Sequence, residues 1–215
     1  MKIKWLGHSS FLITTNNDTK ILTDPVDKES GYDIGITNAD IVTLSHDHHD
    51  HSNTSILKNT ACIITTAGEH SYHDIKLTGI PTWHDEICGQ KRGNNIMFLI
   101  EADDIRILHA GDLGQLPDPL TLNAIGKTDI LLVPIGGVYT IDYEKALALM
   151  NILNPKLTIP MHFRTPSVTF KLGDLSPFLN RASDKYAINK INSSEFEIST
   201  PLSVQNTIFL PDYTK

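Results

Sequence analysis

"LSHDHHDH", Leu44 to His51, holds four of the chain's ten histidines and two aspartates in its last six positions. No secondary structure asks for such a run, and no apolar face hides it. Read with gaps it is H-x-H-x-D-H: His46, His48, Asp50 and His51. It directly follows "ADIVTLS", whose β-branched apolar content predicts a strand. A strand end is a rigid platform, and the loop beyond it is free to fold its side chains inward. Imidazole and carboxylate are the natural donors for zinc and also suit iron or manganese. So many donors in one short segment exceed what a segment usually gives to a mononuclear site. They suit two adjacent ions, each completed by ligands from elsewhere. A solvated polar loop would not need this order, and a tag-like accident would sit at a terminus.

Outward from the motif, the first half of the chain predicts short strands at "KIKWL", "SFLITT" and "TKILTD", with the turn-forming "NND" between the last two. After the histidines, the polar stretch Asn53 to Lys58 is expected to be helical. "ACIITT" predicts a strand and "AGEHSYHD" a helical turn. "KLTGIPTW" and "NNIMFLIEADDIRILHAGD" predict strands, the second as a hairpin turning at Ala102 to Asp104. Past Asp112 the pattern changes. Residues 116–126 and 174–182 predict helices, "DILLVPIGG" a buried strand, and "KLTIPMHF" another. "DYEKALALMNILN" has apolar residues at helical spacing, with Asp142 as N-cap and Asn154-Pro155 as the stop. "INKINSSEFEIST" predicts one final strand. Strands first and strand–helix alternation later imply an α/β domain of mixed sheets covered by helices, spanning residues 1–215 without repeat or linker.

The length of 215 residues is enough for a proper core, and 40% hydrophobic with 20% charged residues describes a soluble globular chain. A net charge of −7 repels polyanions, which disfavours nucleic acid as a partner. Cys62, in an apolar run, is expected to be buried, and Cys88 to be a free thiol in a loop. Two cysteines make no disulfide framework. The first residues lack the order of a secretory signal and no apolar run reaches membrane-spanning length, so the expected location is the cytoplasm.

H-x-H-x-D-H after a strand resembles the metallo-β-lactamase superfamily. The resemblance implies an αββα four-layer sandwich with metals at one edge and three further ligands, in the order His, Asp, His. The chain offers His84 in "PTWHDE", Asp112 in "LHAGD" and His162 in "IPMHF". From "GHSSFLI" to "PMH" it is most similar to the small single-domain branch resembling ascorbate-6-phosphate lactonase and related predicted metal-dependent hydrolases. The implied arrangement puts His46, His48 and His84 on one ion, Asp50, His51 and His162 on the other, and Asp112 as a bridge. Asp50 and Asp112 are then the catalytic carboxylates. His70 and His73 compete with His84 for its place. His8, Asp24 and Tyr139 are candidates for supporting the ligands or meeting substrate, while His49, Asp47 and His109 read as neighbours.

The implied cofactor is two divalent ions, Zn2+ first and Mn2+ or Fe2+ as substitutes. The implied chemistry is attack by a metal-bound hydroxide on an ester, lactone or phosphoester of a small molecule. Three rivals stand beside it. A nuclease or phosphodiesterase of the same superfamily usually adds a clamp or inserted domain. Di-iron redox members typically carry Glu where His48 stands here. A non-catalytic metal-binding protein would keep the ligands and lose the pocket. Neither a membrane nor an oligomeric state is implied.

Overall fold

The edge of sheet on which the motif sits is made by parallel strands that end together. The computed structural model describes Met1–Thr214. In chain order the strands and helices are β1 (Lys2–Gly7), β2 (Ser10–Thr14), β3 (Lys20–Thr23), β4 (Ile41–Thr43), β5 (Cys62–Ile64), β6 (Gly68–Tyr72), β7 (Ile75–Trp83), β8 (Asn94–Ala102), β9 (Ile105–His109), α1 (Pro119–Ile125), β10 (Ile130–Pro134), α2 (Tyr143–Leu153), β11 (Leu157–Met161), α3 (Leu175–Ala182), β12 (Ala187–Ile191), β13 (Glu195–Glu197) and β14 (Thr207–Pro211). They form a six-stranded sheet, β13-β1-β2-β3-β4-β5, and an eight-stranded sheet, β12-β14-β11-β10-β9-β8-β7-β6.

Alternation along the first sheet's strands divides two cores. Phe11, Ile13, Ile21 and Ile41 enter the large core shared with Phe98, Ile100 and Ile107 of the second sheet. Their neighbours Leu12, Leu22 and Val42 face the other way, onto a small cluster with Ala39, Ile34 and Leu57. The layer over that outer face is loop, with one 3-10 turn at Thr54–Ile56 where a helix over 53–58 was expected. The second sheet carries the helices. β10 and β11 pair in parallel across the α2 crossover, and each is buried along its whole length, as a strand covered on both faces must be. Asp142 caps α2 by accepting from Lys145 N, and Asn154 ends it in the left-handed conformation. Asp118 caps α1 in the same way, so that helix starts at Pro119.

Three local expectations are corrected. "AGEHSYHD" holds no helical turn; Gly68–Tyr72 is β6, paired antiparallel with β7 from Gly68↔Gly79 to Tyr72↔Ile75. The free edge of β7 outweighs any local preference in so short a stretch. "INKINSSEFEIST" is not one strand. Its first part, β12, joins β14 in the second sheet, and β13 crosses to pair with β1 in the first. Cys62 is exposed, because β5 is the edge strand of its sheet; Cys88 is also free and exposed. The hairpin at Ala102 to Asp104 forms as expected, with Asp103 and Asp104 both at positive φ, the conformation of a type I′ turn. No helix among the described residues is long and apolar enough to cross a membrane.

Candidate metal centre

The motif begins where β4 stops. β3 and β4 run parallel, so Asp24 and Ser45 leave their strand ends side by side. β9, β10 and β11 also run parallel, which brings the loops carrying Asp112 and His162 to a common edge. A hydrogen bond from Ile96 N to Ser45 O, 2.8 Å, ties the two edges together. His8 at the β1–β2 turn and His84 just past β7 complete the ring of donors. His8, Asp24 and His162 all adopt left-handed backbone conformations, with φ of 52°, 39° and 50°. Such strain in non-glycine residues is characteristic of functional sites. At Gly136 a Cβ would lie 2.2 Å from His162 O, so only glycine lets the β10 loop approach that residue.

Two donor groups form. Ligand atoms of His46, His48 and His84 lie within 4.8 Å of one another, and so do those of His8, Asp50, His51 and His162. Asp112 stands between them. Its Oδ2 is 3.4 Å from His84 Nε2 and 3.1 Å from His162 Nε2, and its Oδ1 is 3.4 Å from His51 Nε2. His70 and His73 take no part. His70, on β6, faces Thr66 O at 3.0 Å, and His73 lies in the turn that follows.

Behind the donors lies a supporting network. Asp24 is fully buried. Its Oδ1 accepts from Ser45 N at 2.8 Å, and its Oδ2 accepts from Ser45 Oγ at 2.5 Å and His51 Nδ1 at 2.9 Å. Ser45 Oγ in turn accepts from His46 Nδ1 at 2.9 Å. Both imidazoles are thereby held with Nδ1 engaged and Nε2 turned inward. Asn95 clamps the other side, accepting from Asp112 N at 2.8 Å and donating to Ala110 O at 3.0 Å. Neither Ser45 nor Asn95 stands out in the sequence, because neither carries a motif and their burial depends on distant segments.

Electrostatics divides the groups by role. Burial and the charge of His51 push the His46 imidazole down to about 3, so it is a neutral donor. Burial and His162 push His8 down to about 4. Burial also acts on His51, but the carboxylates of Asp112 and Asp24 outweigh it and hold its proton well above the ordinary imidazole range. Asp112 is correspondingly ionised: burial opposes this, and His162 and His51 overcome it. Asp50 is ionised against burial through His8, whose Nε2 lies 3.2 Å from its Oδ2, and His51.

The buried Nε2 atoms of His46 and His51 and Oδ1 of Asp112 have no hydrogen-bond partner among the described residues. Buried polar atoms are almost always satisfied, so a convergent set of orphans fits a cation that the chain itself does not supply.

A cavity of about 360 Å³ opens over these groups, lined by His48, Asp50, Asp112, Arg92, Tyr139 and Phe170 among others. His49 sits on its rim, 2.8 Å from Asp27. His8 does not line it; the turn tucks its ring behind Asp50 and against His162, 4.2 Å between centroids. His109 pegs the sheets together through Ser9 O at 2.8 Å, and the Asp47 side chain is exposed. A larger cavity, about 620 Å³ beside Met1, Asn16 and Glu197, holds none of the donors.

The family model described as the beta-lactamase superfamily domain matches residues 2–162. A UPF0173 metal-dependent hydrolase from Alkaliphilus metalliredigens is 32% identical over 202 residues, 79% of this chain and 88% of that one. Another from Archaeoglobus fulgidus is 28% identical, over 77% of this chain and 84% of that one. A protein from Thermotoga maritima, assigned to the Zn-dependent hydrolases of the metallo-β-lactamase superfamily, has a solved structure with a TM-score of 0.80 to this one. It shares 32% identity across 97% of both chains.

Proposed function

Since the chain belongs to the β-lactamase superfamily and is one of its metal-dependent hydrolases, we propose that it cleaves an ester, lactone or phosphoester of a small molecule at two divalent ions, zinc foremost. The orphaned donor set carries this reading: His46 Nε2, His51 Nε2 and Asp112 Oδ1 converge, buried and without partners among the described residues. His46, His48 and His84 would hold one ion, Asp50, His51 and His162 the other, with Asp112 shared. When bound, such a pair lowers the pKa of a bound water towards ~7 and polarises the oxygen of the group under attack.

The chain's own residues do the rest. Asp24 and Ser45 fix the tautomers that leave Nε2 of His51 and His46 free to donate. The ionised Asp50 and Asp112 offset part of the charge brought into the site. Asp50 reaches the cavity with one oxygen held by His8, leaving the other to face the ion it would hold with His51 and His162. No serine or cysteine lines the cavity among the described residues, which suits direct attack by water. A volume of about 360 Å³ accommodates a small molecule rather than a polymer.

The test pairs elemental analysis with a screen of esters, lactones and phosphoesters on the zinc- or manganese-loaded protein. The expected result is about two ions per chain and turnover abolished by chelator. Trace metal after reconstitution, or turnover indifferent to chelation, refutes it.

A further inference from the structure

We propose that the cavity selects substrates bearing an oxyanion, carboxylate or phosphate, remote from the bond that breaks, and that Arg92 receives it. The inference rests on the reading above and deepens it from a reaction to a class of substrate.

Arg92 lines the same cavity as the metal-binding groups, and its side chain is half-buried. Among the described residues no carboxylate pairs with it. Elsewhere in the chain, Arg106 meets Glu101 at 3.1 Å and Arg164 meets Asp174 at 3.5 Å. The two acids nearest to Arg92 in sequence, Asp85 and Glu86, are both already engaged. Asp85 accepts backbone N–H groups from Ile87 and Gly89 on Oδ1, each at 2.9 Å, and from Lys91 and Arg92 on Oδ2, at 2.9 and 2.7 Å. Glu86 is engaged by Lys145. The guanidinium is thus left without an ion-pair partner among the described residues, in a chain whose net charge is −7.

It is also held in place. The carboxylate of Asp85 organises residues 87–92 into a fixed loop, closed by Gly93 N to Gly89 O at 2.9 Å. The segment after Asp112 grips that loop so closely that a Cβ on Gly114 would lie 2.2 Å from Asp85 N. The guanidinium carbon then lies 5.1 Å from the centroid of the Tyr139 ring. A guanidinium placed over an aromatic ring keeps its in-plane N–H donors free, in the fork that matches an oxyanion. Beyond Arg92 and Tyr139 a second cavity of about 350 Å³ opens, lined by Ile87, Lys91 and Val138 and by Asp85 and Glu86, the two acids already engaged by backbone N–H groups and by Lys145. Arg92 stands at the junction of the two, with the exposed Lys91 adding a second positive charge. A molecule whose reacting group lies over Asp112 can therefore present its anionic end to a prepared guanidinium that no side-chain carboxylate pairs among the described residues.

The test uses ligands that anchor on metal through a hydroxamate and differ only at the far end. The mono-hydroxamates of malonic, succinic and glutaric acid, and phosphonoacetohydroxamate, are each titrated calorimetrically into zinc-loaded protein. Each is compared with its uncharged straight-chain analogue. In the wild type at least one anionic tail should tighten binding about tenfold, the scale of one charge-assisted hydrogen-bonded contact. The gain should fall to about one in Arg92→Gln, persist in part in Arg92→Lys and survive Tyr139→Phe, which keeps the ring. Spacer length and the choice between carboxylate and phosphonate then identify the anion. Equal binding of every pair in the wild type overturns the proposal, and so does a gain that persists in Arg92→Gln. If the uncharged hydroxamates fail to bind protein that carries its zinc, the metal-site reading fails, and this inference with it.

Discussion

Asp24→Asn keeps the size of the side chain and removes its charge. Asp24 accepts three hydrogen bonds, from Ser45 N, Ser45 Oγ and His51 Nδ1, and has no exposure to solvent. An amide cannot accept all three. With Nδ2 towards His51, it faces the Nδ1–H and forces the ring into the tautomer protonated at Nε2, the atom otherwise turned to Asp112 at 3.4 Å. With Nδ2 towards Ser45 N, it buries two donors against each other. Either arrangement forfeits one charge-assisted bond, about 1.5–3 kcal/mol. Loss of such a supporting carboxylate typically weakens a metal site by about 10–100-fold, or ~1.4–2.8 kcal/mol, so the two routes agree. The larger loss should fall on the ion that Asp50, His51 and His162 would hold, and a smaller one on the ion that His46 would hold, which Asp24 supports only through Ser45. Stepwise competition with a chromogenic zinc chelator measures both affinities, and nitrogen NMR of the imidazoles reports the His51 tautomer. Two affinities within about twofold of wild type, with His51 still protonated at Nδ1, would refute the reasoning.

His84→Ala should lower zinc from about two ions per chain to about one, whereas His70→Ala and His73→Ala should leave elemental analysis unchanged, because neither ring reaches a donor group. Asp112→Asn should retain the circular dichroism of the fold and lose at least about 100-fold in hydrolytic rate on whichever substrate the wild type accepts. Asp129, far from the centre, is buried and meets Arg106 N at 3.1 Å, Lys127 at 3.2 Å and Lys156 at 3.3 Å. Burial opposes its ionisation, but these partners hold its carboxyl below the usual range. A folded pKa below the unfolded one means stability present above about pH 4 and lost as the pH falls through the folded value. Asp129→Asn should therefore cost about 1–2 kcal/mol in urea unfolding at neutral pH, with the gap to wild type closing in acid; a gap independent of pH would exclude an ionic contribution.

The part of this protein legible in the sequence was the part whose signals are local. His46, His48, Asp50 and His51 announce metal chemistry through residue type and order. Asp112 and His162 stand out by ending apolar runs, where a solvated face is not expected. The α2 helix is readable from its spacing, its Asp142 cap and its Asn154 stop, all within one element. Mixed sheets covered by helices follow from strand-like runs outnumbering helical ones, while the stacking of two sheets came only with the family resemblance.

What tertiary structure decided was which groups meet. Gly68–Tyr72 is too short for periodicity to choose its conformation, and the open edge of β7 chose it. β12 and β13 share one polar run, yet they enter different sheets, because β12 finds its partner further along the chain in β14 and β13 finds its own at the opposite end of the chain in β1. Cys62 sits in an apolar run and still faces solvent, since edge position is a property of the whole sheet. Ser45, Asn95 and Arg92 carry no motif. Their roles come from Asp24, from the Asp112 loop, and from an Asp85 carboxylate already filled by backbone N–H groups. Donor chemistry and periodicity are properties of neighbouring residues, whereas burial, pairing and an uncompensated charge exist only once distant segments share the same few ångströms.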